Sequence, residues 1–255
     1  MSTLSVATWN IHKGFSQFNR RMVVHELRNR LRHLSADIVF LQEVQGRHLK
    51  KAEKHADWPA QPQHEFLAED FWSSHAYGDN VSYAHGHHGN AILSRYPILS
   101  QHNQDVTHYR FDRRGLLHCQ VQLPVAAGSA GRTLHCVCVH LSLFSGSRTK
   151  QMNALADRIE DIVPVASPLL IAGDFNDWRN NANDILAQRL GLTEVFSVRG
   201  IRPSRSFPAA LPLLRLDRIY QRGLTLVSAD CHAGMPWSQL SDHAALSASF
   251  DLSAG

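Results

Sequence analysis

With 255 residues, 44% hydrophobic and 19% charged, the chain is long enough to bury a large core and too evenly mixed to be disordered or fibrous. It contains no run of about 18 apolar residues, so a transmembrane helix is not expected. The formal net charge of +4, supplied mostly by arginine, is compatible with a polyanionic partner or an anionic membrane surface and too small to choose between them.

Taken in order, Met1 to Asn10 lacks a basic stretch followed by an apolar run and a cleavage site, so a cytoplasmic location is expected. Leu4 to Trp9 reads as a strand. Val24, Leu27, Leu31 and Leu34 recur at helical spacing and predict a helix over Arg21 to Leu34. Strands are predicted at Asp37 to Leu41, Asn90 to Leu93, Leu116 to Val121 and Leu134 to His140. A helix follows over Arg148 to Val163, with Met152, Leu155 and Ile159 on one face. Beyond it come a strand at Leu169 to Ala172, a helix at Ala182 to Leu190, and strands at Leu216 to Tyr220 and Ala244 to Phe250. Pro97, Gly128 to Gly131 and Pro164 to Pro168 mark turns. No long linker and no repeat interrupts this order, so one domain over 1–255 is the economical reading. Most strands lack helical crossovers, which favours sheets packed face to face with helices outside. Cys119, Cys136, Cys138 and Cys231 lack zinc spacing and read as reduced small hydrophobes.

Polar residues collect at the strand ends. They are Asn10 and His12 after Trp9, Glu43 after Leu41, His140 after Val139, and Asp174, Asn176 and Asp177 after Ala172. Asp217 follows Leu216, and Asp242 and His243 precede the last strand. An Asp in such a place alone reads as a turn former or helix cap, and a lone strand His as a hydrogen-bonded core residue. Strand ends along one edge of a sheet can converge, and converging carboxylates are costly unless cations neutralise them. An all-oxygen set without cysteine favours Mg²⁺ or Mn²⁺ over zinc. His85, His87 and His88 are read as a cleft-edge loop, because carboxylates or cysteines at zinc spacing are missing nearby.

The ordered series Trp9-Asn10, Gln42-Glu43, His140, Gly173-Asp174-Phe175-Asn176, Leu216-Asp217-Arg218-Ile219 and Ser241-Asp242-His243 resembles the signature of the endonuclease/exonuclease/phosphatase superfamily. The resemblance runs from about residue 4 to residue 250. It implies an α/β fold, a four-layered sandwich of two mostly antiparallel sheets packed face to face with helices on the outer faces. It also implies a metal-dependent phosphodiesterase. Glu43 would be the main ligand of Mg²⁺ or Mn²⁺, helped by Asn10 and Asp242. Asp174 would orient or deprotonate the attacking water, and Asn176 would hold the phosphoryl oxygen or the nucleophile. His243, oriented by Asp217, and His140 would face the scissile phosphate, with Asn90 and Arg114 as looser phosphate contacts. Many relatives carry an acid two positions after the first Asn, where this chain has His12.

DNA or RNA is the first substrate class implied, with a phospholipid or small phosphate ester as the alternative. The segment from Ser206 to Arg215 lacks the Trp-Trp-x-Tyr-Arg element of abasic-site enzymes, which argues against lesion recognition. Exposed apolar side chains beside the cleft, with Trp58, Trp72 and Trp237 as candidates, would favour a lipid.

Overall fold

A computed structural model describes residues 3–124, 131–198, 200–202 and 204–252. The turn signal at Gly128 lies outside them. In chain order the elements are β1 (Thr3–Asn10), α1 (Val24–Leu34), β2 (Ile38–His48), α2 (Leu49–Lys54), α3 (Gln63–Ala68), β3 (Ser74–Tyr83) and β4 (Gly86–Ser94). Next come β5 (Ile98–Asp105), β6 (Gly115–Gln122), β7 (Thr133–His140), α4 (Ser145–Ile162), β8 (Leu169–Asp174) and α5 (Asn181–Leu190). The last are β9 (Thr193–Glu194), β10 (Asp217–Arg222), β11 (Thr225–His232) and β12 (Ala245–Asp251).

The strands form two six-stranded sheets, ordered β11-β12-β1-β2-β4-β3 and β5-β6-β7-β8-β10-β9. In each, one central pair is parallel, β1 with β2 and β7 with β8, and the other pairs are antiparallel. The two orders are therefore the same arrangement used twice, although the sequence shows no repeat. The register carries the match into the site. Asn10 pairs with Gln42 in one half, and His140 pairs with Asp174 in the other. Both parallel pairs thus deliver their C-terminal ends to one end of the sandwich.

Alternation along the strands sorts the core into three layers. Leu4, Val6, Ile38, Phe40 and Ile92 meet Cys119, Cys136, Cys138, Leu170 and Ala172 between the sheets. The three cysteines are unpaired and buried there, as read from the sequence. Ala7, Trp9, Val39 and Leu41 face the opposite way, under Val24, Leu27 and Leu31 of α1 and Phe66 and Leu67 of α3. Val137, Val139 and Ile171 are covered by Met152, Leu155 and Ile159 of α4 and by Leu186 of α5. Each Val, Leu, Ile, Phe or Met among them contributes roughly 1.5–3 kcal/mol on leaving water, which fixes the strand faces and with them the aim of the strand ends. This is the four-layered sandwich that the sequence motifs implied.

Two local features shape those ends. Gly173 has φ +146°, and a Cβ there would lie 2.0 Å from the Val139 carbonyl oxygen, so only glycine lets β7 and β8 approach closely enough to set His140 beside Asp174. In β2 the register with β4 shifts between Leu41 and Val44, and Glu43 sits in this bulge at φ 55°. A bulge re-aims one side chain without ending the strand.

Candidate active site

The converging ends line a cleft of about 440 Å³ that includes Asn10, Glu43, Arg114, His140, Asp174, Asn176 and His243. Seven of the residues anticipated from sequence therefore share one cavity. Asp217 stands behind His243, fully buried, and Asp242 is half-buried beside it, its carboxylate 3.4 Å from the Ser241 hydroxyl. Asn90 is buried elsewhere. It donates from Nδ2 to the carbonyls of Gly115 (3.1 Å) and Cys138 (3.4 Å), clasping the two sheets rather than lining the cleft.

Asp174 is the hub. Its Oδ1 accepts the Asn176 backbone N–H at 2.9 Å, and its Oδ2 accepts Asn10 Nδ2 at 3.2 Å. Nε2 of His140 and of His243 lie 3.5 and 3.8 Å from the same Oδ2. Burial pushes the Asp174 carboxyl up and Asp217 adds to it, against the opposing pull of His243 and His140. A buried carboxylate with raised basicity, held by two N–H donors, suits the orientation and deprotonation of water.

The two imidazoles are driven apart. His243 Nδ1 lies 2.8 Å from Asp217 Oδ2. Burial alone would lower the His243 pKa, but Asp217 and Asp174 outweigh it and raise it to about 10, so this ring is a cation at neutral pH. Burial and the nearby Arg114 push His140 down to about 4, against Asp174 and Glu43, so that ring is neutral. Titratable neighbours with opposed environments mark distinct chemical roles. Asp174, Asp217 and His243 present ligand atoms within 4.8 Å of one another. Two of those atoms already face each other across the Asp217–His243 hydrogen bond, so the cluster reads as a charge-holding relay rather than a metal cage.

A divalent ion is better suited to Glu43. Among the described residues its buried Oε2 has Lys13 Nζ as an ion partner at 3.0 Å and no further hydrogen bond. Burial opposes ionisation of Glu43, but His140 and Lys13 outweigh it and hold the carboxyl well below the ordinary range. A permanently ionised carboxylate with an under-coordinated oxygen, beside a second carboxylate, fits a hard cation. Asn10 fits less simply. Its Nδ2 faces Glu43 Oε1 at 3.4 Å and its Oδ1 accepts the His12 N–H at 3.1 Å, so direct ligation through oxygen would require the amide to exchange its ends.

The loop 175–180 is pinned from behind. Asp177 caps α5 by accepting the Ala182 N–H at 2.7 Å, and Arg218 donates to the Asp177 carbonyl at 2.8 Å and to Asn180 Oδ1 at 2.6 Å. Arg148, also buried, donates to the carbonyls of Ser142 and Leu143 and lies 5.1 Å from the Trp178 ring. Arg114 is held by Asp112 at 2.8 Å.

Sequence reasoning missed Lys13, Leu143, Trp178, Phe207, Leu214 and Leu216 as cleft residues. Lys13 follows His12 in the loop after β1, and its φ of 58° turns it back onto Glu43. His88, expected at a cleft edge, does line the cleft. Of the tryptophans offered, Trp72 is buried with its N–H on the Ala36 carbonyl, Trp237 packs on Trp9, and Trp58 borders a separate pocket with Leu49 and Pro59. The exposed tryptophan at the cleft is Trp178.

A doubled sheet whose parallel pairs bring carboxylates, amides and imidazoles to one end defines the class of sandwich-fold phosphoester hydrolases. The chain belongs to the endonuclease/exonuclease/phosphatase family, whose sequence profile matches residues 7–243. It is 46% identical over 253 residues to the uncharacterized protein YbhP of Escherichia coli strain K12, covering 98% of this chain and 97% of that one. Among solved structures, an endonuclease/exonuclease/phosphatase from Beutenbergia cavernae aligns with a TM-score of 0.75 at 20% identity, over 98% of this chain and 72% of that chain. D. rerio TDP2 complexed with a single-strand DNA product aligns with a TM-score of 0.68 at 20% identity, over 98% and 100%. These likenesses establish the fold. Enzymes of the family are hydrolases of phosphoester bonds and generally depend on a divalent metal.

Proposed function

We propose that the protein hydrolyses phosphodiesters by in-line attack of a water molecule. The observation that carries this is Asp174, raised in basicity, set within 4 Å of one cationic and one neutral imidazole in the same cleft as the ionised Glu43. Asp174 orients the water and takes its proton. His243, charged through Asp217, faces the phosphate and offsets the negative charge that grows on it. Neutral His140 offers a hydrogen bond to a non-bridging oxygen. One Nδ2 hydrogen of Asn176 is committed to the Leu141 carbonyl at 2.9 Å, and the amide's second hydrogen remains for the phosphoryl group. Mg²⁺ or Mn²⁺ at Glu43, with Asn10 and Asp242 as helpers, would supply Lewis-acid stabilisation of the phosphate and the leaving oxygen.

Nucleic acid is the first substrate class, supported by the net positive charge and by the DNA product named for one fold neighbour. A phospholipid head group is the second, favoured by the apolar wall of Leu143, Trp178 and Leu214. Hydrolysis of bis(p-nitrophenyl) phosphate is expected with Mg²⁺ or Mn²⁺, to be lost in EDTA and to return on adding metal. Loss of a group that merely supports a metal ligand costs about 10–100-fold in affinity, so Glu43→Gln should raise the half-maximal Mg²⁺ concentration at least ~10-fold. A folded protein silent toward diesters under both metals would remove the reading. Among substrates, cleavage of DNA or RNA that weakens steeply with salt would select the first class.

A further inference from the structure

Several of the exposed large apolar side chains gather in one region. Phe111 is 77% exposed, Leu211 67%, Leu213 58%, Leu143 57% and Phe144 53%. All lie in loops at the cleft end of the sandwich. Tyr109 stacks on Phe111 with ring centroids 5.7 Å apart and meets Phe144 edge-on at 6.0 Å, so the loop 107–114 and the start of α4 form one aromatic cluster. Leu143 continues it to the cleft wall, where Trp178 and Leu214 stand. The hairpin 207–214 is closed by the N–H groups of Leu213 and Leu214 on the Phe207 carbonyl, and it holds Leu211 and Leu213 outward beyond that wall.

Nothing in the proposed chemistry uses these side chains, and single exposed leucines need no explanation. A group of them gathered beside a functional cleft does. Its charge says what would cover it. Arg110, Arg113 and Arg179 are exposed in the loops here, and Lys150 of α4, 3.1 Å from His108 Nε2, is exposed beside them. The carboxylates of those loops are withdrawn: Asp112 is paired with Arg114, and Asp177 is fully buried beside Arg148. The face therefore presents apolar and aromatic tips amid cations that pair with no carboxylate among the described residues. The tips rise from separate loops instead of lining one groove, which suits a fluid, deformable surface better than a shaped partner. Aromatic rings and aliphatic tips enter the headgroup boundary, and nearby Lys and Arg are attracted to an anionic leaflet.

We propose that the loops 107–114 and 207–214, with Leu143, Phe144 and Trp178, dock this protein on the surface of a bilayer containing anionic phospholipid. The cleft then opens onto lipid head groups, a consequence that rests on the phosphodiester reading; the docking itself does not.

Vesicle flotation tests it, carried out in EDTA so that catalysis plays no part. The wild-type protein is expected to float with vesicles of phosphatidylglycerol in phosphatidylcholine and to stay in solution with pure phosphatidylcholine. The double variant Phe111→Ser/Leu213→Ser replaces no residue that lines the cleft and should lower the bound fraction about 10-fold, because binding scales with inserted apolar area. Arg110→Gln/Arg113→Gln should do the same on anionic vesicles. Both variants should keep the wild-type thermal midpoint and the wild-type rate on bis(p-nitrophenyl) phosphate. The proposal is overturned if the wild-type protein does not float, or if folded variants float as well as it does. It is equally overturned if the double variant floats normally but loses affinity for single-stranded DNA, which would make the rim a base-stacking platform. Flotation without hydrolysis would sink the proposed function and leave the docking surface standing; hydrolysis without flotation would do the reverse.

Discussion

Replacing Asp174 by Asn is expected to lower the turnover of a soluble phosphodiester by about 10²–10⁴-fold while leaving the fold intact, the range by which general base catalysis contributes. The substitution keeps the volume of the side chain and the position of the strand end. It removes the basic site and reverses the hydrogen bonding. Asp174 accepts from the Asn176 N–H through one oxygen and from Asn10 Nδ2 through the other. An amide can satisfy only one of these donors with its oxygen, and its NH₂ group must then oppose another donor. Both imidazoles lie on the Oδ2 side, so the orientation that keeps the Asn176 contact sets NH₂ against Asn10, His140 and His243. Steady-state rates on bis(p-nitrophenyl) phosphate, beside a thermal melt, check this. A folded Asp174→Asn protein turning over at the wild-type rate would remove Asp174 from the role of base.

What the sequence made legible follows the depth of each element. The predicted strands correspond to β1, β2, β4, β6, β7, β8, β10 and β12, which fill the interior of the two sheets. Those not anticipated, β3, β5, β9 and β11, are the four sheet edges. The reason is physical. An edge strand packs on one neighbour and need not be apolar; β5 reads Ile98 to Asp105 with hardly a buried side chain, and β11 is mostly half-exposed. Polar character that protects an edge also erases the pattern by which strands are read.

The site divides on similar lines. Asn10, Glu43, His140 and Asp174 were legible because apolar strands point at them, and the strand faces leave their ends little freedom. Lys13, Leu143, Trp178 and Leu214 come from loops, where the backbone direction is set by turns and by partners distant in sequence. Lys13 reaches Glu43 only through consecutive positive φ angles at His12 and Lys13. Asn90 shows the converse. The family resemblance implied a loose phosphate contact for it, and the packing of the two sheets gives its amide two backbone carbonyls. The apolar rim had no sequence signature at all, since isolated leucines and aromatics in loops look the same whether they tuck inward or stand out.

Asp217→Asn is expected to destabilise the metal-free protein by about 3–5 kcal/mol at neutral pH, the cost of breaking a buried ion pair by removing one partner. Asp217 is fully buried and accepts from His243 Nδ1 at 2.8 Å; the ring is nearly as deep, and in the variant its charge keeps only the more distant Asp174, 3.8 Å from Nε2. The pH dependence distinguishes this loss from a packing defect. In the wild-type protein the folded-state pKa of His243 is raised to about 10, above an ordinary value of ~6.5. A raised pKa means that the folded state holds the proton more tightly. The stabilisation is therefore fully present below pH ~6.5 and drains away as pH rises through about 10. Urea unfolding in EDTA should accordingly show the largest gap between wild-type and variant proteins at pH 6–7, narrowing toward pH 10. The same variant should lose activity at neutral pH, because a ring no longer held charged and aimed by Asp217 cannot offset the charge on phosphate. A gap in stability that stayed constant across that range would mean that Asp217 fills space beside His243 without holding its proton.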